Sequence, residues 1–276
     1  TLDTAAGSDI VTLGELVGGI AQGGIETVAG TVKLDLGETT DGASDNNEFT
    51  LTGDITAYAM IDIDTGAGAD VVTVNGTMTA TTDMIDIDSG AGVDEITVTG
   101  TMTTDAAAID INTGSDSDRF TVKGLIKAQT NVTLDTAAGS DIVTLGELVG
   151  GIAQGGIETV AGTVKLDLGE TADGASDNDQ FTLIGDITSN VDIDFDSGAG
   201  ADVVTVNGTM TTTTGAIDIN TGSESDQIDI LGRLEAGTSF KMHTGSGEDD
   251  LEITGAIKSS GTSIEIDTGD TRDFVT

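Results

Sequence analysis

Cysteine, proline and tryptophan are absent from this chain of 276 residues, which has one tyrosine, one histidine and only nine basic side chains. Without cysteine no disulfide staples the fold, and that absence leaves the compartment open. Nine Lys and Arg against 49 Asp and Glu give a formal charge of −40. So acidic a chain excludes nucleic acid as a natural partner, because it has no basic surface to exchange for counterions. No apolar run approaches the ~18 residues that a membrane helix needs. With one histidine, no cysteine and no cluster of Arg or Lys for an acidic sugar, no group stands out as general acid and base. An apolar fraction of 37% is low for a globular domain of this length. It suits a thin rod with a narrow core.

What is present is repetition. Ile61 to Met84 is followed at once by a second version of itself, Ile85 to Ala108, and Gly66, Gly90 and Gly114 fall 24 residues apart. Each unit reads as an alternating strand, a glycine-acid turn, a second alternating strand, a Gly corner and a short third strand. One unit is one coil of a solenoid. The chain is therefore expected to be all-β, a parallel β-helix or β-solenoid of about 24 residues per coil and about eleven coils, the last incomplete.

The apolar residues fall into columns. The first is Val11, Phe49, Val72, Ile96, Phe120, Val143, Phe181, Val204, Ile228, Leu251 and Val275. The second runs from Leu13 and Leu51 to Ile253, and the third from Leu16, Ile55 and Met78 through Leu148 to Ile257. Period-2 alternation puts them on one face of their strands and predicts a continuous core. Between the first two columns runs an outward ladder, Thr12, Thr50, Thr73, Thr97, Thr121, Thr144, Thr182 and Thr205, then Asp229 and Glu252. Its uniformity argues for in-register stacking. Charge placement agrees: stacking sets Lys33 beside Asp62, Lys165 beside Asp194, and Lys241 between Asp218 and Glu265.

A longer repeat is superposed. Thr1 to Thr39 is identical to Thr133 to Thr171, an offset of 132 residues or five coils. Residues 1–132 and 133–264 are then two super-repeats of one continuous solenoid, and 265–276 begins a further coil. Each super-repeat carries two insertions. One, within Gly14 to Val32, is expected to enlarge the third side of a coil; the other, Glu38 to Asn47, the turn of the next. Insertions in solenoids collect on one face, often the contact face.

The turns hold the chemistry. Their first position carries Asp3, Asp64, Asp88, Asn112, Asp135, Asp196, Asn220 and Asp267. Asp35, Asp167 and the lone His243 complete that column, His243 being either a metal-column interruption, a pH sensor or a plain surface substitution. Six residues on, an acid recurs: Asp9, Asp70, Asp94, Asp118, Asp141, Asp202, Asp226, Asp249 and Asp273. Asn47 and Asp179 take the equivalent place in the two enlarged turns. Stacked ~4.8 Å apart, like carboxylates repel by roughly 3.5 kcal/mol per pair at an effective dielectric near 20, and by about 0.9 in water. Summed along the rod this exceeds the ~5–15 kcal/mol by which domains are stable, so the columns must be neutralised. Protonation and solvated acidic turns are alternatives. Ca²⁺, which accepts six to eight oxygen ligands in flexible geometry, is the expected solution, with both columns as candidate ligands.

The strings Gly66-x-Gly68-x-Asp70-x-Val72, Gly90-x-Gly92-x-Asp94-x-Ile96, Gly198-x-Gly200-x-Asp202-x-Val204 and Gly245-x-Gly247-x-Asp249-x-Leu251 resemble part of a known nonapeptide. It is the repeat of hemolysin-type (RTX) calcium-binding proteins, which form parallel β-rolls or β-helices with Ca²⁺ between turns. The resemblance implies that turn carbonyls and Asp70, Asp94, Asp202 and Asp249 bind the ion. This chain departs from it: Thr or Ser replaces the leading Gly, and the motif comes once per 24 residues. The expected function is an extracellular calcium-binding structural rod at the cell surface, as a filament or sheath subunit or as an adhesin stalk. Neither end shows a polar cap, so the rod is expected to continue in a longer chain or to self-associate end to end or laterally. The alternatives are a ligand-binding or ice-binding solenoid, on Thr77-x-Thr79, Thr101-x-Thr103 and Thr209-x-Thr211, and a β-helix polysaccharide-acting enzyme.

Overall fold

The computed structural model describes residues 1–3, 8–17, 20–37, 45–169, 177–261, 263–269 and 272–276. They contain no helix, and the strands wind into three parallel sheets of 11, 11 and 10 strands. One coil is Ile61–Asp64 on the first face, Val71–Asn75 on the second and Met78–Ala80 on the third. The next is Ile85–Asp88, Glu95–Val98 and Met102–Thr104. Neighbours in each sheet are one coil apart, and the sheets run unbroken across the junction of the two 132-residue repeats. The chain is a parallel β-solenoid.

Register follows the repeat. Ile61 pairs with Ile85, Asp62 with Asp86, Val72 with Ile96 and Met78 with Met102. A one-residue slip would turn every aliphatic side chain outward, so the alternation itself fixes the pairing. The inward residues are almost completely enclosed: Ile61, Val74, Met78 and Ala80 are at 0% exposure. At about 1.5–3 kcal/mol for each fully buried large side chain, this column is the main stabilising term. Five of the six phenylalanines, Phe49, Phe120, Phe181, Phe195 and Phe240, are in it. Phe181 and Phe195 meet across the coil with ring centroids 4.9 Å apart.

The core is wider than the three expected columns. The first face adds inward pairs such as Ile61 and Ile63, Ile85 and Ile87, and Leu166 beside Val164. The third face adds a column of small residues, Ala57, Ala80, Thr104, Ala128, Thr159, Ser189, Thr212 and Ala236, all buried. Its hydroxyls are satisfied locally, Thr104 donating to the Ala107 carbonyl at 2.7 Å and Thr212 to that of Gly215 at 2.7 Å. Burial therefore costs these polar groups little.

The expectation for Leu148 needs correcting. It does not join the core but lies 64% exposed on an antiparallel hairpin, Glu147–Val149 with Ile152–Gln154. Ile157 takes its place, pairing with Ile126 and Ile187 at 1% exposure. In the first copy the hairpin is Glu15–Val17 with Ile20–Gln22, and Ile25 pairs with Ile55 in the position expected of Leu16. The reason is the paired glycines. Gly150 and Gly151, at φ 61° and 81°, make the two-residue tip that a twisted hairpin favours. Of the second insertion, residues 38–44 and 170–176 lie outside the described residues.

Candidate metal centre: an outer and an inner acid column

Both faces that meet at the glycine-acid turn contribute acids, and the fold gives the two columns opposite environments. The turn-start residues end the first-face strands with their side chains outward. Asp35, Asp64, Asp88, Asn112, Asp135, Asp167, Asp196, Asn220, His243 and Asp267 are neighbours in unbroken register. Asp3 pairs with Asp35 through its backbone, and its side chain lies outside the described residues. Two residues earlier on the same face runs a parallel column, in which Asp62, Asp86 and Asp110 are consecutive.

The lysines fall as the stacking requires. Lys33 Nζ donates to Asp62 Oδ2 at 3.4 Å, and Lys241 sits between Asp218 and Glu265. Lys165 is opposite Asp194 but makes its ion pair within its own strand, to Asp167 at 2.7 Å. Elsewhere the acids crowd one another. Partial burial, then Asp110 and Asp62, push the Asp86 carboxyl above its ordinary range. Partial burial, then Asp35 and Asp88, do the same to Asp64. His243 Nδ1 stands 4.0 Å from Asp267, a surface contact.

The second acid column points inward. Asp70, Asp94, Asp118, Asp141, Asp202, Asp226 and Asp249 are at most 3% exposed, as are Asn47 and Asp179. Each lends its Oδ1 to the backbone N–H of the equivalent residue one coil earlier. Thus Asp70 N–H donates to Asp94 at 2.8 Å, Asp94 N–H to Asp118 at 2.8 Å, Asp118 N–H to Asp141 at 2.7 Å, and Asp141 N–H to Asp179 at 2.7 Å. The ladder runs from Asp9, bonded to Asn47, to Asp273, bonded by Asp249 N–H. It satisfies a backbone donor at every turn, which a buried backbone demands.

The other oxygen is left over. Oδ2 of Asp9, Asp70, Asp94, Asp118, Asp141, Asp179, Asp202 and Asp226 is buried with no hydrogen-bond partner. An ionised carboxylate there would be expensive. Burial, more than anything else, raises six of these carboxyls: to about 7 for Asp94 and Asp226, about 8 for Asp118, about 9 for Asp179, and about 6 for Asp141 and Asp202. Asp70 is raised for the same reason.

Asn47 shows which form fits. Its Oδ1 takes the ladder bond from Asp9 N–H, and its Nδ2 donates to the carbonyls of Asp45 at 3.2 Å and Thr65 at 3.4 Å. At Asn47, then, the slot beside the ladder oxygen receives a donor. Asparagine is a neutral isostere of the protonated acid, and its counterpart in the second repeat is Asp179.

The buried hydroxyl column completes the turn and was missed by the sequence reasoning. Thr65, Ser89, Thr113, Thr136, Ser197, Thr221 and Thr244 are at most 1% exposed. Thr244 Oγ1 donates to Asp249 Oδ2 at 2.6 Å, while Thr65 and Ser89 donate to the next coil's carbonyls at 3.1 and 2.9 Å. Its signal was the Thr or Ser where the nonapeptide has Gly.

These contacts bear on the fit to calcium. In the inner column one oxygen is spent on the ladder and the other is enclosed beside the turn hydroxyl, which donates to it at Asp249. The turn carbonyls are engaged too, Gly66 accepting from Ala91 N–H and Gly90 from Ser115 N–H, both at 3.0 Å. Among the described residues no three Asp, Glu or His side chains converge on one point. The inner carboxylates are therefore committed within the turn, whereas the outer ones lie at or near the surface; the absence of a three-acid convergence holds for both columns among the described residues. No family model matches the chain, and neither curated proteins nor solved structures match it.

Proposed function

We propose that this chain is a non-catalytic structural rod of the extracellular surface, a filament or stalk element, whose first face loads calcium along the outer acid columns. The observation that carries this reading is the run Asp62, Asp64, Asp86, Asp88 and Asp110, five carboxylates on adjacent rungs with Lys33 beside the first of them. Rungs ~4.8 Å apart let one hard ion bridge carboxylates of successive coils, and millimolar calcium outside cells would fill such weak sites. Each bridge ties a coil to the next. The solenoid supplies length and stiffness, and its near-identical super-repeats extend it without new design.

The experiment is thermal unfolding followed by circular dichroism in about 5 mM CaCl₂ and in EDTA, with electron microscopy of both samples. The expected result is a calcium-dependent rise in melting temperature that Asp86→Asn with Asp88→Asn reduces. A melting temperature indifferent to chelator would overturn the calcium part of the reading. The ice-binding alternative loses its array on the third face, where Thr56, Thr79 and Thr103 are followed by Lys127 and Glu158.

A further inference from the structure

The second face differs from the rest of the molecule. Across its first eight rungs the central outward column is threonine throughout, from Thr12 to Thr205, each opposite the next. The column beside it reads Ile10, Glu48, Val71, Glu95, Arg119, Ile142, Gln180 and Val203. That is two acids and one arginine on the flank of a chain with formal charge −40. The stripe ends where Asp229, Asp250 and Glu252 enter.

The flanking column is also self-complementary when reversed. Read from both ends toward the middle it matches Ile10 with Val203, Glu48 with Gln180, Val71 with Ile142, and Glu95 with Arg119. Aliphatic meets aliphatic, and each acid meets an amide or a guanidinium. Ile10 and Val203 are 75% and 36% exposed, so their apolar surface is available.

We propose that the second face is a two-fold interface with a second copy of this chain, the two rods lying face to face and antiparallel. A two-fold axis in the interface plane, parallel to the strands and between the rungs of Thr97 and Thr121, sets each column against itself in reverse order. This is an isologous contact. It places two Glu95–Arg119 pairs at the centre and the threonine ladders against each other. A parallel arrangement would set the flanking column against the opposite margin, bringing Arg119 to Lys123 of its partner and Val71 to Asn75. Eight rungs at ~4.8 Å and strands of ~13 Å give a footprint of about 500 Å² per copy, or about 1,000 Å² in all, the lower bound of a specific interface. The acid columns of the first face would forbid such an approach. The inference gives the lateral self-association of the proposed rod a face and a direction, and does not depend on its calcium.

The test is sedimentation equilibrium at tens of micromolar and about 150 mM salt, where repulsion beyond ~8 Å is screened, with and without EDTA. The wild type should form a reversible dimer in both. Arg119→Glu should weaken it at least tenfold, since two attractions become two repulsions, and Glu95→Arg with Arg119→Glu should recover it. Arg119 is exposed, and unchanged circular dichroism confirms folding. A mixture of Thr97→Cys and Thr121→Cys chains should cross-link through a short bismaleimide more than either alone. A monomeric wild type, a dimer indifferent to Arg119→Glu, or an unrecovered double variant would overturn the interface. A monomer that binds crystalline polysaccharide or ice through the threonine column would reassign the face. Because calcium is read from melting temperature and the dimer from mass, either can fail without the other.

Discussion

Replacing Asp118 by Asn should stabilise the rod at alkaline pH and hardly alter it in acid. Asp118 Oδ1 accepts Asp94 N–H at 2.8 Å, and asparagine keeps that acceptor. Its Oδ2 is buried without a partner, and the amide would put a donor there, as Asn47 does. Burial, with Asp94 and Asp141 adding to it, holds the Asp118 carboxyl at about 8. The unfolded value is ~3.9. The folded state therefore keeps a proton that the unfolded state has lost, and stability falls as pH rises through this window. The contribution is complete below about pH 4 and is lost toward pH 8, at ~1.4 kcal/mol per unit and at most about 5 kcal/mol in all. Asp118→Asn removes this dependence. Urea unfolding in EDTA, followed by circular dichroism, should find the variant within about 1 kcal/mol of wild type near pH 4.5 and about 2–5 kcal/mol more stable near pH 8. The wild type should also release protons on unfolding at pH 6. Equal destabilisation of the variant at both pH values, or a wild type that gains stability between pH 5 and 8, would refute the neutral ladder.

Two further outcomes test the winding itself. Gly114 has φ 89°, and a Cβ there would lie 1.5 Å from the Gly90 carbonyl oxygen, so Gly114→Ala must push two coils apart. A loss of more than about 3 kcal/mol is expected by urea titration, beyond the ~1 kcal/mol of an ordinary backbone substitution. Deleting Glu147 to Gln154 should leave the fold intact, because Leu145-Gly146-Gly155-Gly156-Ile157 then spaces its core residues as Val98 to Met102 does. An unchanged β spectrum and melting temperature check it.

The coil length, the direction of the strands and their register were legible because the pattern of Ile61 to Met84 recurs with side chains alternating in and out. Two things were not. Leu148 has the composition of a core residue, and only the glycines around it, Gly146, Gly150, Gly151 and Gly155, tell that the chain leaves the solenoid and returns. The acids were harder. A turn that starts with Asp64 and ends with Asp70 reads as two equivalent columns, yet the backbone twists through the bend so that one carboxylate faces water and the other the interior. Alternation does not extend across a glycine at φ 84°, so sequence spacing lost the sense of direction there.

The hydroxyl after the first acid carries the deeper lesson. The nonapeptide that these turns resemble has a leading glycine at this position. Here Thr65, Ser89 and their equivalents fill that place with a buried donor and acceptor, and the carbonyls nearby bond to the next coil. A carboxylic acid beside such a hydroxyl can pass its proton's hydrogen bond onward, to Oγ and then to the adjacent coil, and so joins coils without any ion. The electrostatic problem of stacked aspartates thus has two solutions in one turn. Where the carboxyl is enclosed, as at Asp94, desolvation makes a proton the cheaper counter-charge. Where it lies exposed, as at Asp88, the counter-charge proposed above is a cation from outside. The formal charge of −40 overstates what the folded rod carries at neutral pH, and raising the pH should make it both more acidic and less tightly wound.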